Sequence, residues 1–372
     1  MPADATLDQT AIDIARRLLP DRDIAVQQIH GGGNNRVYRL TSSGAPDHAL
    51  KLYAPPGTDR QDALGRLQRE YAGLAFLAPY LPGRVPAAVT VDWDSLAAIY
   101  EWVDGSRPSL TVDRPPQDIA AVISFVADLK HLSGAARHAD TGFDKPAREA
   151  CLSAQELLRQ VQSRLATLSA LSQETDLQQL LADEMRPVFD QAAKRLETWY
   201  ATNSLAPSDE ISADRQILSP SDFGFHNALR RPSGELTFID FEYFGWDDPV
   251  KLLADFVWHP AVHLSDRERQ RFIEESLAAL MPHDPFLQGR LWAQFPLYGL
   301  RWAAILLNEF LSERWQRRVF AGAADPSPGA WEAAKQRQLA AARRYLQIAR
   351  AASKTSGLEP ASTLLSIMNL NQ

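Results

Sequence analysis

Ser221-Asp222-Phe223-Gly224-Phe225-His226-Asn227 and, eleven residues further on, Phe238-Ile239-Asp240-Phe241-Glu242 place three carboxylates and a carboxamide in one short span of the chain. Asp222 and Asn227 stand five apart. Asp240 follows Asn227 by thirteen residues, across Pro232-Ser233-Gly234, a turn signal between two short apolar runs. A carboxylate at the end of an apolar strand, facing a loop with a second carboxylate and an amide, offers the oxygen ligands that a hard divalent cation takes. Phosphoryl transfer to a hydroxyl requires the same set: a carboxylate beside the acceptor and further oxygen donors for Mg²⁺. Taken singly, Asp222 also suits a turn and Asp240 a strand-end cap, so the residues upstream decide.

Gly31-Gly32-Gly33-Asn34-Asn35-Arg36 lies between strands expected at Asp23 to Ile29 and Arg36 to Thr41. Glycines after a strand let backbone amides approach a phosphate closely. A Walker A loop is excluded, because no Gly-Lys pair occurs in the chain. A dinucleotide fingerprint needs glycine where Arg36 stands and a helix where a strand follows. A plain hairpin turn remains open. Lys51 follows Gly33 by eighteen residues, in the apolar strand Ala49-Leu50-Lys51-Leu52-Tyr53. Alone it reads as an edge-strand lysine that discourages aggregation. Glu70 comes nineteen residues later, on a helix marked by Leu64, Leu67, Tyr71 and Leu74 and ended by Pro79. Alone it reads as a solvated flank residue. Together, lysine on a third strand and glutamate on the next helix form the ion pair by which a kinase holds the α- and β-phosphates, and Asp222 with Asn227 reproduces the Asp-x-x-x-x-Asn step of a kinase catalytic loop.

Two further strands, Ala87 to Val91 and Leu96 to Val103, complete the order β-β-β-α-β-β, and Gly105, Ser106 and Pro108 then punctuate the chain. Beyond them the apolar periodicity is helical, apart from the stretch around Asp222 and Asp240. Ser153 with Glu156 and Ser265 with Glu268 each predict a capping box. The expected class is α+β, a two-lobed fold with an antiparallel-sheet lobe over 1–104 and a mostly helical lobe over 105–372. Of 372 residues, 45% are hydrophobic and 23% charged, which is the balance of a folded globular protein. Lys plus Arg number 39 against 46 for Asp plus Glu, so the net charge of −7 argues against a nucleic acid partner. Cys151 is the one cysteine, which excludes an intrachain disulfide and suits a cytoplasmic protein. There is no secretory pattern at the N-terminus and no run of eighteen apolar residues, so no membrane partner is expected.

With these residues in place the chain resembles the aminoglycoside phosphotransferase/choline kinase superfamily, which shares the protein-kinase fold. The resemblance runs from roughly Ile29 to Phe256. It is carried by Gly31 to Tyr38, Lys51, Glu70, Leu129-Lys130-His131, Asp222 with Asn227, and Ile239-Asp240-Phe241-Glu242 leading to Gly245 and Asp248-Pro249. It implies that Gly31, Gly32, Gly33, Asn34 and Asn35 cover the phosphates of ATP, and that Lys51, paired with Glu70, binds them. Asp222 would orient or deprotonate an acceptor hydroxyl, while Asn227 and Asp240 hold Mg²⁺. Tyr100-Glu101-Trp102-Val103 falls at the interlobe hinge, where backbone groups of Glu101 and Val103 would meet adenine. One departure stands out. The family usually has His-Gly-Asp or His-Asn-Asp at the catalytic loop, where its histidine braces the loop, and this chain has Pro220-Ser221-Asp222.

The expected acceptor is a hydroxyl of a small molecule: a sugar, an amino alcohol or an aminoglycoside-like compound. It should lie against helices within 141–205 and 266–315, and Asp247, Glu309 and Glu313 offer carboxylates should it be cationic. His259 and His263 are four apart but lack the glutamate of a zincin, so they are not expected to form a metal site. His226, inside the loop, suits either substrate contact or bracing. The rival function is a nucleotide-binding pseudokinase with a regulatory role, motivated by Pro220.

Overall fold

The computed structural model describes residues 2–29, 35–53, 59–110, 114–139, 142–320, 324–325 and 327–354. Gly31, Gly32, Gly33 and Asn34 therefore lie outside the described residues.

Alternation builds the first lobe. Strands β1 (Ala25–Ile29), β2 (Arg36–Thr41), β3 (His48–Leu52), β4 (Ala88–Asp92) and β5 (Ala97–Glu101) form one antiparallel sheet in the order β1-β2-β3-β5-β4. Successive side chains of a strand face opposite sides. Leu50 and Leu52 of β3, with Ala97 and Ile99 of β5, face a small apolar layer completed by Ala11, Ile14 and Ala15 of helix α1 (Pro2–Leu18). Tyr53, Ala98 and Tyr100 face the opposite way, into the main core and toward helix α2 (Arg60–Leu77). Lys51 shares that second side. It opposes Val37 on β2 and Ala98 on β5, so it sits on the central strand, and the edge-strand reading fails. Helix α1 was not anticipated, although Ala11, Ile14, Ala15 and Leu18 stand three and four residues apart on its buried side.

The remainder is chiefly helical, as expected. Helix α3 (Pro116–Ala136) buries Ile119, Val122, Phe125, Val126 and Leu129. It is 21 residues long and its 18-residue apolar stretch has a mean hydropathy of 1.3, enough to span a membrane, but it packs as a core helix against helix α8 (Asp266–Leu280) and strand β6 (Ile217–Ser219). Helix α4 (Ala154–Ser169) has half of its expected capping box. Ser153 accepts from the Glu156 amide, whereas the Glu156 carboxylate turns to Arg159 and Gln160 instead of reaching back. Ser265 and Glu268 form the complete box at α8. Helices α5 (Thr175–Leu180) and α6 (Arg186–Thr202) are joined by a π-turn over Leu181–Met185. Pro187 explains it, since its ring blocks the ordinary bond to the carbonyl four residues back. Helix α9 (Leu287–Leu306) runs through the middle of this lobe against α4, α6, α7 (Pro249–Trp258) and the last described helix, Ala330–Ser353. Pro296 inside it leaves the Trp292 carbonyl without its helical donor, and Arg195 supplies one at 3.1 Å.

Two short ribbons interrupt the helices. Strands β7 (Ala228–Arg230) and β8 (Leu236–Phe238) flank Pro232 to Gly234, and β6 pairs with β9 (Gly245–Asp247). Asp222 and Asn227 lie in the connection from β6 to β7, and Asp240 lies just beyond β8. Arg84, on the segment leading to β4, bridges to Asp128 on α3, and Ser106 pairs with Arg230 of β7.

Candidate active site

Lys51 is the centre of the site. Its Nζ donates to Glu70 Oε2 and to Asp240 Oδ1, each at 2.6 Å, joining β3, α2 and the segment after β8. Glu70 is 3% exposed, so it is a core residue and not a solvated flank. Both of its oxygens are engaged: Oε2 also accepts from Tyr53 Oη at 2.5 Å, and Oε1 accepts from the Phe241 amide at 3.2 Å. The Tyr53 and Tyr100 hydroxyls meet at 2.8 Å below it. Burial works against the charge on Lys51, yet Asp240, Glu70 and Glu242 outweigh it and hold the ammonium well above its usual pKa. The lysine is therefore a permanent cation.

Asp240 occupies left-handed backbone space at φ 67°, uncommon outside glycine. Neighbouring bonds impose it. The Ile239 amide donates to the Asn227 carbonyl at 2.9 Å and the Phe241 amide donates to Glu70, so the peptides on either side are pinned. Asn227 Nδ2 donates to the Asp222 carbonyl at 3.0 Å, which leaves Oδ1 as its atom for a cation. Asp222, Asn227 and Asp240 are thus tied through two hydrogen bonds in series, as their sequence order suggested.

A second cluster lies beside the first. Arg66 of α2 donates to Glu242 Oε2 at 3.0 Å, to the Tyr53 carbonyl at 2.7 Å and to the side-chain oxygen of Asn35. Asn35 Nδ2 in turn donates to Glu242 at 2.5 Å. The described end of the glycine loop is therefore clamped to the segment that carries Asp240. Arg66 and Tyr53 were missed in the sequence, although Arg66 stands four residues before Glu70, hence on the same helix face.

The loop around Asp222 rests on a buried ionic layer. Ser221 Oγ accepts from Lys251 Nζ at 3.1 Å and donates to the Arg148 carbonyl at 2.9 Å. Lys251 lies 3.1 Å from Asp247 and 3.2 Å from Asp255. Arg301 joins Asp255, at 3.1 Å, to Glu149, at 2.6 Å. Asp222 Oδ1 has two imidazoles near it: His226 Nε2 at 3.0 Å and His259 Nε2 at 3.4 Å. Burial would raise the Asp222 pKa, but these ring contacts more than offset it and hold the carboxyl well below its usual range. His259, set aside in the sequence as one of an isolated pair, enters because α7 ends at Trp258 and turns it back toward the loop.

Other expected groups fare differently. The Glu101 amide donates to the Ala87 carbonyl at 2.9 Å, so a ligand contact by Glu101 would have to use its carbonyl; its carboxylate is bound by Arg231 and the Ala87 amide. Val103 is buried. Asp247 is wholly buried, binding Lys251 and the amides of Cys151 and Asp248, and Glu309 is paired with Arg318. Neither is a free carboxylate for a cationic acceptor, which corrects that expectation. Burial pushes the Cys151 thiol up to about 12, so it is inert. A cleft of about 550 Å³ beside the 146–150 strap is lined by Glu149, Arg159, Gln160, Arg164, Asn308 and Arg314 among others, within the region expected for the acceptor.

Residues 25–295 match the profile described as the Phosphotransferase enzyme family, which takes in most of the chain, with Lys51, Glu70, Asp222, Asn227, Asp240 and His259. No curated protein matches the sequence significantly. Among solved structures, the choline kinase of Cryptosporidium parvum Iowa II superposes with a TM-score of 0.57 at 12% identity, covering 91% of this chain and 94% of its own. The choline kinase LicA from Streptococcus pneumoniae gives 0.52 at 14% identity over 91% and 99%, and the macrolide 2'-phosphotransferase MphH from Brachybacterium faecium 0.50 at 20% over 86% and 98%. At such identities the superpositions speak for the fold, and the profile speaks for the family. The chain belongs to the phosphotransferase enzyme family and has the two-lobed, kinase-like fold of the choline kinase and macrolide phosphotransferase structures on which it superposes.

Proposed function

We propose that this protein is a cytoplasmic kinase that moves the γ-phosphoryl group of ATP to a hydroxyl of a small molecule, with Mg²⁺ as its metal. The observation that carries the proposal is the double engagement of Lys51 by Glu70 and Asp240. The glutamate fixes the lysine, and the lysine stands beside the carboxylate that a nucleotide-bound metal requires. The nucleotide would lie between lobes 1–104 and 105–372, under Gly31, Gly32, Gly33, Asn34 and Asn35. Adenine would lie at the hinge, against the Glu101 carbonyl and the Val103 backbone. Asp240, with its second oxygen, and Asn227, with Oδ1, are hard oxygen donors on a braced backbone and fit Mg²⁺. When bound, Mg²⁺ supplies positive charge to the phosphate oxygens.

Asp222 would accept a hydrogen bond from the acceptor hydroxyl and aim its oxygen at the γ-phosphorus. The new O–P bond forms as the bond from the γ-phosphorus to the β,γ-bridging oxygen breaks, ADP leaves, and the hydroxyl proton passes to Asp222. Because the carboxyl is held so firmly ionised, its chief task is orientation, with proton transfer late, in keeping with a loose transition state. Ser221 and its buried Lys251 partner support the loop where Pro220 offers no donor, which favours an active enzyme over a pseudokinase. A screen of sugars, amino alcohols and aminoglycosides for Mg²⁺-dependent ADP release tests the proposal, with Asp222→Ala as control. ATP binding without turnover on any acceptor would replace it with the regulatory alternative.

A further inference from the structure

The protons on the two imidazoles beside Asp222 follow from their other contacts. His259 Nδ1 accepts from the Ala261 amide at 3.1 Å, so Nδ1 carries the lone pair and the proton of this ring belongs on Nε2. That Nε2 lies 3.4 Å from Asp222 Oδ1, and an ionised carboxylate only accepts. His226 Nε2 lies 3.0 Å from the same oxygen and must carry its proton there too, which leaves its buried Nδ1 without a partner among the described residues. The two rings stack with centroids 4.0 Å apart and 5° between their planes, and Trp302 meets His259 edge-on at 4.6 Å. Gly224 makes room for this arrangement: a Cβ there would come within 2.7 Å of His226 Nδ1 and of Val262 Cγ2.

We propose that His226 and His259 are positioning residues that together hold Oδ1 of Asp222 with two Nε2–H groups, reserving Oδ2 for the acceptor hydroxyl. The proposal rests on the phosphotransferase role given to Asp222 above. One donor would let the carboxylate pivot about that bond. Two donors reaching one oxygen from stacked rings fix its direction, and they draw charge to Oδ1 so that Oδ2 is the oxygen left open to a proton.

The same three side chains are close enough to gather a divalent cation, their ligand atoms lying within 4.8 Å of one another. The Ala261 contact argues against it. An imidazole that binds a metal through Nε2 carries its proton on Nδ1, where the Ala261 amide already points, so two donors would meet. The donor arrangement keeps every bond that is present. Burial also lowers the His259 pKa, which keeps the ring neutral at neutral pH and its Nδ1 free to accept.

Long-range ¹H–¹⁵N correlation spectra of the full-length protein, labelled at histidine, read the tautomers directly, with His226→Gln and His259→Gln used for assignment. Both rings should be in the Nε2–H form, and both sets of signals should shift in Asp222→Ala. An Nδ1–H form of His259, or signals indifferent to Asp222→Ala, overturns the proposal, and does so whether or not any phosphoryl transfer is found. The second arm uses ATP turnover with Mg²⁺ and an acceptor from the screen. His226→Phe and His259→Phe should each lower kcat by up to about 10²-fold with the KM for ATP unchanged, the scale of loss from misplacing a reacting group. The Gln variants, which keep an N–H near the Nε2 position, should recover most of that loss. In an Asp222→Ala background neither Phe change should lower turnover further. Losses that add to that of Asp222→Ala, or a raised KM for ATP in place of a lowered kcat, point to general structural damage and overturn the proposal.

Discussion

Glu70 shows how one side chain sets the conformation of several others. It accepts from Lys51, Tyr53 and the Phe241 amide, so a single buried carboxylate orients the lysine and pins the peptide beside Asp240. Removing one donor while leaving the others should cost about 1.5–3 kcal/mol, the usual net worth of a hydrogen bond to a charged group. Tyr53→Phe should therefore lower the unfolding free energy from a urea titration by that amount while leaving Lys51 in place. The proposed roles of the two aspartates separate cleanly. Asp222→Ala should leave ATP binding nearly intact and reduce turnover by roughly 10²–10⁴-fold, the span of general-base contributions. Asp240→Ala should abolish the Mg²⁺-dependent part of ATP binding, because it removes the negative charge beside the phosphates. Calorimetric titration with and without Mg²⁺ checks the second pair of outcomes, and equal titrations for wild type and Asp240→Ala would remove Asp240 from the metal site.

At the scale of elements, α7 and α9 matter most, because they carry the ionic layer under the Asp222 loop. Asp248 caps α7 through the Val250 amide and is itself paired with Arg290 of α9, while Lys251 and Asp255 point from α7 to Ser221 and Arg301. A buried pair contributes little net stability when intact, but breaking it leaves an uncompensated charge. Arg301→Met takes the shared cation from Asp255 and Glu149, leaving Lys251 for the one and Arg164 for the other, and should destabilise the protein by up to about 3–5 kcal/mol in a denaturant titration. A loss well under 1 kcal/mol would mean that Lys251 alone balances Asp255.

For the whole molecule, acid sensitivity follows from the same layer. Burial would raise the pKa of Glu149, but Arg301 and Arg164 outweigh it and bring it down to about 2 from an ordinary 4.5. A depressed folded pKa contributes stability that is fully present above 4.5 and lost as pH falls toward about 2. The gap in urea midpoint between wild type and Glu149→Gln should accordingly be widest above that range and close within it. Because this side chain is 44% exposed, the gap should also shrink in high salt. A gap independent of pH would mean that Glu149 acts through packing alone.

Much of this architecture was legible in the chain, because it depends on local rules. Alternation and period marked the five strands and α2, the Pro232 to Gly234 turn separated β7 from β8, and the spacing of Asp222, Asn227 and Asp240 survived folding because a short hairpin preserves sequence order in space. Lys51 and Glu70 were identified for the same reason: a strand and the helix that follows it are neighbours. What the sequence could not decide was which polar residues meet from distant segments. His259 lies 37 residues from Asp222, Arg301 46 from Asp255, and Asn35 207 from Glu242. None of these pairings could be read from either element alone, and only the packing of α7, α9 and the Asp240 segment, driven by burial of their apolar faces, brought these polar groups together. The central place of Lys51 was equally a tertiary outcome, since strand order is set by which strands pair and not by the composition of any one of them.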